Sequence, residues 1–383
     1  MLVCCFALCS AMVLGTGGAP VAAKVPAPMP SLRPAAILTV ISGSVAMRFG
    51  SSAFTAASDG AVIYVGSTIR TSADSRAVIT LFEGSTVELE PASDITIEEA
   101  TMRGDSTIVE LAQSLGRSWH VVTHLTTPDS RYEVKTPAAT ASVRGTAFEI
   151  AVVDALSGPS TTVTTTEGLV ATTDASGVRS VLVAADQTTT VHANSRPEPA
   201  RSAPSAQRVV TVTTRSESSI VVDPLGRANG LRDGKVVAQT PGARVRSEGG
   251  TIVITLPDVP DGVFSTTVAD GSVVSVSTTV TDAGREPVSL TTDAAAGSVG
   301  VEVRTTSGQP EVRALDDAET KRLRGDSRSV LETGPRPSAK PTRGANALSP
   351  ERALTATPTK KLEGTARPPA TPKRTASPSP NRR

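Results

Sequence analysis

The sequence predicts an all-β protein built from two modules, and three observations carry that prediction. Thr and Ser alternate with Val in runs such as TVTT (residues 211–214) and VVSVSTTV (residues 273–280), the period-two pattern of strands with one wet face. Aromatic residues make up only 2% of the chain, so Val, Ile, Leu and Ala must build the cores, which suits β-branched packing of modest thickness. No long stretch shows apolar residues at helical spacing.

In chain order, residues 2–14 form an apolar run, followed by small residues and Ala22-Ala23-Lys24. This is the pattern of a signal peptide cleaved after Ala23, and the run is short for a membrane span of roughly 20 residues. No Lys or Arg precedes it. Segment 1–23 is read as a signal peptide or N-terminal anchor, which predicts a periplasmic, cell-surface or secreted location. Residues 24–36, rich in Pro and small residues, read as a linker. Cys4, Cys5 and Cys9 are the only cysteines of the chain. Disulfides, cysteine zinc sites and a cysteine nucleophile are therefore excluded from everything after them.

Residues 37–194 break into short strand-like runs separated by Gly, Asp, Ser or Pro, among them 61–65, 77–82, 86–90, 94–98, 106–111, 119–123, 132–135 and 148–153. Such a series predicts a jelly roll, a barrel or a short β-solenoid. The most informative stretch is VKTPAATASVRGTAFEI, residues 134–150. Pro137 fixes its own φ and lacks an N–H, placing Thr136-Pro137 at a strand end or turn. Gly145 permits a sharp turn or a close backbone approach. Val143, Phe148 and Ile150 can face a core, while Thr140, Ser142 and Thr146 are polar. These residues predict a tight β-corner.

The wording of that corner resembles the "TP-x-A…V-R-G-T-x-F" signature of the FecR-like domain family, carried here by Thr136, Pro137, Val143, Arg144, Gly145, Thr146 and Phe148. Upstream, residues 66–71 (GSTIRT) and 75–81 (SRAVITL) resemble the opening of the family pattern, and residues 83–89 (EGSTVEL) its "D-G-S" turn with Glu for Asp. Downstream, residues 167–170 (EGLV) and 181–191 resemble its ending, with Asp186 where Gly is expected. The resemblance implies a non-enzymatic extracytoplasmic domain. In the family's best-known members it receives a signal from a transport partner and relays it to a cytoplasmic sigma factor. No cytoplasmic helical segment is read before the apolar run, so the expectation is a binding or sensing module rather than a transmembrane relay.

Residues 195–208 (SRPEPARSAPSAQR) read as a Pro/Ser-rich linker. Residues 209–306 carry seven strand-like runs (209–214, 219–222, 235–238, 251–256, 263–268, 273–279 and 299–304), the content of a small β-sandwich. Asp223 to Arg227, Pro241-Gly242 and Asp261-Gly262 supply turns in an order that resembles small sandwich modules of bacterial surface and secreted proteins. From residue 307 the strand pattern fades, and 307–383 is read as a disordered, basic Pro/Ser/Thr-rich tail, with a short helix possible over 316–331. Residues 334–383 hold eleven Lys/Arg against two Glu, which leaves about −8 on the rest of a chain whose formal charge is +1. A basic tail on an acidic body suits a solvated spacer or attachment to anionic envelope components. Nucleic-acid binding is disfavoured because no aromatic residues interleave the basic ones.

The chain offers little catalytic vocabulary. His120 and His124 lack the Glu of HExxH, and on a strand they share a face about 13 Å apart at ~3.3 Å per residue. They read as surface or rim histidines, since a shared metal site needs a third ligand nearby. His192 lies at a module end and reads as solvated. Asp258 and Asp261 flank a Pro turn and are what turns require, whereas a calcium site needs six or more oxygens. Trp119 reads as a core or rim residue rather than a ligand platform. No G-x-S-x-G elbow or GxxxxGK[ST] loop occurs. Catalytic, cofactor-binding and metal residues are therefore predicted as none. Arg144 can fork onto a carboxylate or main-chain carbonyls, either to hold the corner or to contact a partner. The functional expectation is a non-enzymatic exported envelope protein with a scaffold, adhesion or ligand-binding role, its partner a protein or an envelope polymer. A membrane-anchored FecR-type signalling regulator and an envelope hydrolase are the alternatives.

Overall fold

The computed structural model describes residues 33–125, 127–268, 274–294 and 298–324. The predicted signal segment and the basic tail beyond residue 324 lie outside the described residues. The first module opens with β1 (Pro34–Ser42), β2 (Val45–Phe49), β3 (Thr55–Ala56), β4 (Val62–Tyr64), β5 (Ser67–Thr71) and β6 (Arg76–Leu81). It continues with β7 (Thr86–Leu89), β8 (Asp94–Arg103), β9 (Ser106–Val121), β10 (Arg131–Lys135), β11 (Ala139–Val143) and β12 (Ala147–Ala155). It ends with β13 (Gly158–Glu167), β14 (Leu169–Asp174), β15 (Ser180–Ala184), β16 (Gln187–His192) and β17 (Arg201–Ser202).

These strands form two open sheets that share β9. One sheet runs β4-β1-β6-β7-β9-β12-β13-β16-β17. The other runs β3-β2-β5-β8-β9-β10-β11-β14-β15. All pairings are antiparallel except β9 with β10. The long strand β9 changes sheet at Gly116, whose φ is +85°. A Cβ there would stand 2.5 Å from Ser93 Cα and 2.7 Å from Ala92 O, so only glycine fits the bend. One core lies between the sheets. Leu38, Ile79, Leu89, Phe148 and Val163 face it from the first sheet, and Ile69, Ile97, Leu111, Tyr132 and Val183 from the second. Strand alternation puts every other residue on an outer face, which in much of the module is Thr, Ser, Glu and Arg.

The second module contains β18 (Arg208–Arg215), β19 (Ser219–Val222), β20 (Ala228–Arg232), β21 (Lys235–Ala238), β22 (Arg244–Glu248) and β23 (Thr251–Pro257). It is completed by β24 (Gly262–Val268), β25 (Val274–Asp282), β26 (Val288–Ala294), β27 (Ser298–Thr306), β28 (Gln309–Leu315) and α1 (Asp317–Arg324). A five-stranded sheet β22-β23-β18-β25-β26 packs on a six-stranded sheet β21-β20-β19-β24-β27-β28. Val212, Ile254, Leu256, Val276, Phe264 and Val303 join across the gap. The predicted runs coincide closely with β18, β19, β21, β23, β24, β25 and β27.

Three departures from the sequence reading matter. The predicted linker at 195–208 follows the edge of the first module: Glu198 N donates to Thr190 O, Thr189 Oγ1 to Glu198 O, and Arg201 pairs with Thr188 on β16. Pro-containing segments are tolerated at a sheet edge, so proline content alone did not make this a free tether. The second module also runs past residue 306. Strand β28 pairs with β27 over its whole length, and Asp316 and Glu319 cap α1 reciprocally. Gly300 lets α1 lie on β27, since a Cβ there would overlap Thr320 Oγ1. Finally, the two modules pack directly on each other, as described below.

Candidate functional site

The family-like motif spans a hairpin and a crossover. Thr136 closes the β10–β11 hairpin: its Oγ1 accepts from Ala139 N at 3.0 Å and donates to Ala139 O at 2.8 Å, while contacting Thr161 Oγ1 at 2.7 Å. Pro137 sits within that turn. At the other end of β11, Arg144-Gly145-Thr146 carries the chain from one sheet to the other. Gly145 has φ +127°, and a Cβ there would lie 2.7 Å from His124 Nδ1. The end of β9 seals the crossover through Val122 N to Thr146 O at 2.9 Å and Leu125 N to Arg144 O at 3.2 Å. Gly168, from the second family-like segment, meets the same corner, where a Cβ would stand 2.6 Å from Thr146 Cγ2. Arg144 is exposed and donates from Nη2 to Pro128 O at 2.5 Å. Val143 and Phe148 face the core, and Thr146 is buried.

Next to this corner a polar chain crosses the core. His120 is fully buried, which corrects the surface or rim position predicted for it. The sequence placed it on a strand without showing that its face is the inner one, opposite Trp119. Its ring stacks on Phe148 with centroids 4.8 Å apart. Its Nδ1 lies 2.9 Å from Tyr132 Oη and its Nε2 lies 2.7 Å from Ser118 Oγ, which donates to Gln113 Oε1. Gln113 Nε2 then donates to Gly116 O at 2.9 Å. Because the Ser118 proton goes to Gln113, Nε2 of His120 carries the ring proton and Nδ1 accepts from Tyr132. Each proton in the chain is used once, in the neutral tautomer. Burial holds His120 neutral, with its pKa lowered to about 3, and it raises the Tyr132 phenol, whose proton stays in place. His124 and His192 are exposed, so the structure does not bring the histidines together. Among the described residues no group of three or more His, Cys, Asp or Glu side chains is gathered where it could hold a metal ion.

The junction between the modules lies on the outer face of the first sheet. Register aligns Val78, Glu88, Trp119 and Glu149 across β6, β7, β9 and β12. Alternation alone would make this a wet row, yet Val78, Glu88 and Trp119 are buried. Trp119 Nε1 donates to Ala238 O of β21 at 2.8 Å, and Val121 packs on the core of the second module. The Asp223–Arg227 turn brings Arg227 against Glu88 at 3.7 Å and Glu90 at 3.3 Å, while its Nε donates to Asp223 at 2.6 Å. Arg76 adds a 3.0 Å pair to Glu90. At the margin Arg244 pairs with Asp186 and donates to Thr166 O. Asp223 is well supplied, receiving Leu225 N, Arg227 N, Arg227 Nε and Thr240 Oγ1. Glu88 receives no hydrogen bond. Burial pushes its carboxyl well above the usual range, with Arg227 opposing that rise.

Asp258 and Asp261 serve the start of β18 rather than a cation. Asp258 Oδ1 accepts Gln207 N, and Asp261 accepts Arg208 and Thr305, while Arg208 also forks onto Asp282. Arg208, Asp258, Asp282 and Thr305 line an open groove of about 410 Å³. Arg208 commits four of its five N–H donors to Asp261, Asp282 and Thr305. Sequence reasoning missed the Gln113–Ser118–His120–Tyr132 chain and the Glu88–Arg227 contact. Adjacent polar and apolar positions on a strand signal two faces but do not say which of them a distant segment will cover.

Comparison with known proteins adds a family to this geometry. The FecR protein family model matches residues 67–171, which run from β5 into the start of β14 and include the whole crossover motif. No curated protein matches the chain. Among solved structures, two crystal structures of a "putative anti-sigma factor" from Parabacteroides distasonis ATCC 8503 are similar to it, at 14% and 13% identity and a TM-score of 0.30 each. They cover 49% and 50% of this chain and 97% and 99% of their own.

Proposed function

We propose that this chain, which carries a FecR domain over residues 67–171, is a non-enzymatic regulator of FecR type that works outside the cytoplasmic membrane and acts by binding a protein partner. The observation that supports this reading most is the family match itself, which spans residues 67–171. The chemistry agrees with it. The buried histidine is neutral and sealed from solvent, and Arg208 of the second module is held by Asp261 and Asp282. Among the described residues no helix is long and apolar enough to cross a membrane. The proposed location rests on the apolar segment at residues 2–14 and on the family resemblance.

Binding without signalling is the second reading, favoured by the way the second module covers one face of the FecR domain and makes a composite body. One experiment separates the two. The full chain would be deleted in its host and transcripts governed by alternative sigma factors compared, while tagged full-length chain is recovered from envelope extracts. Regulation predicts a coordinated change in one such transcript set together with a membrane-protein partner. Unchanged transcripts with retention on isolated envelope polymer would overturn the regulatory reading.

A further inference from the structure

The seam between the modules is sealed, polar and unevenly satisfied. Three carboxylates meet there, Glu88 and Glu90 from the FecR domain and Asp223 from the second module. Two guanidinium groups face them, Arg227 from the second module and Arg76 from β6. The remaining charged groups nearby are already engaged. Arg117 on β9 pairs with Glu149 on β12 at 3.7 Å, and Arg324 at the end of α1 donates to the main-chain carbonyls of Val222, Asp223 and Val263. Glu90 has a donor on each oxygen, Asp223 has four, and Glu88 has none.

A buried carboxylate without a donor is costly when charged and much less so when protonated. With Glu88 protonated, Glu90 and Asp223 are balanced by Arg227 and Arg76. When Glu88 ionises, a buried negative charge that receives no hydrogen bond sits between the two modules, close to Glu90 and Asp223, which repel it. Removing it means separating the surfaces so that water can reach it.

We infer that the seam is a proton-dependent latch: the second module is held on the outer face of the FecR domain while Glu88 carries its proton, and is released as the pH rises. The sign follows from linkage. Glu88 binds its proton more tightly in the closed seam than in the open one, so closure is favoured at low pH and is lost as pH rises through the raised pKa. Opening would bare Trp119, Val78 and Val121, a surface on the FecR domain that the second module otherwise occupies. A domain exposed to ambient pH outside the cell could use such an opening to change what it presents.

The chain holds one tryptophan, and it lies in the seam, so its emission reports closure directly. Full-length protein would be titrated between about pH 5.5 and about 9.5, following Trp119 emission, acrylamide quenching and far-UV circular dichroism together. The expected result is a red shift and a severalfold rise in quenching on the alkaline side, with the strand signal unchanged. In Glu88→Gln both readouts stay flat. Wild-type emission and quenching that stay constant over the whole range would overturn the latch, and that outcome does not depend on any variant folding. Equal alkaline shifts in wild type and Glu88→Gln would overturn the assignment to Glu88.

Discussion

Two buried polar clusters lie on opposite sides of β9, and they are built on different terms. On the inner side, Gln113, Ser118, His120 and Tyr132 pass hydrogen bonds in one direction, with every proton placed and no net charge. On the outer side, Glu88, Glu90, Asp223, Arg76 and Arg227 are ionisable, drawn from two modules, and leave one carboxyl without a donor. A closed neutral network makes a core specific and rigid, whereas a partly satisfied one is a point of weakness. The FecR domain thus has a fixed interior and a conditional exterior, with Trp119 and His120 as neighbouring residues on the two sides.

The contrast can be broken most severely at Trp119. Trp119→Ala removes the largest side chain of the seam and should cost about 3–5 kcal/mol of stability, measured by urea unfolding. If the cost falls on the seam rather than the core, the two modules of the variant unfold in separate steps. A single transition at reduced urea would show instead that Trp119 supports the FecR core.

The interior cluster makes the opposite pH prediction to the seam. With His120 held at about 3, the folded state binds fewer protons than the unfolded one below the ordinary histidine value of ~6.5. Its contribution is therefore complete above that value and is lost as pH falls toward 3. His120→Phe keeps a ring against Phe148 but strands the Tyr132 hydroxyl and Ser118, at about 1–3 kcal/mol at neutral pH. The acid-side slope of stability between about pH 6.5 and 4 should flatten in that variant. An unchanged slope would mean that other groups carry it.

The smallest effect is expected at Arg144, whose guanidinium is exposed and holds one carbonyl of a loop. Arg144→Ala should cost about 1 kcal/mol or less in thermal unfolding. A larger loss would make the crossover a main support of the domain. If stability is unchanged while partner recovery from envelope extracts fails, Arg144 belongs to the contact surface.

Much of the architecture was legible in the sequence for a simple reason. Strand alternation is local, so Val210, Val212, Ile252 and Ile254 announce their own face. The crossover was also legible, because Pro137 and Gly145 constrain their own backbone. The seam was not. Glu88 alternates with Val87 and Leu89 and reads as a wet residue, and nothing near it in the chain announces that Arg227 will arrive from far downstream. Strand β28 was missed for a related reason: its Glu311 and Arg313 alternate with modest apolar residues at an edge, where little burial is needed. His120 was misplaced because SWHVV gives a strand without saying which side is dry.

The central claim is that the FecR domain and the second module form one body joined at Trp119, and coincident unfolding tests it most directly. In full-length protein at mildly acidic pH, the side on which the raised pKa of Glu88 favours its protonated form, Trp119 emission and the far-UV strand signal should follow a single thermal transition with one midpoint. A Trp119 red shift completed well below the loss of strand signal would contradict it, because the seam would then open while both modules remain folded.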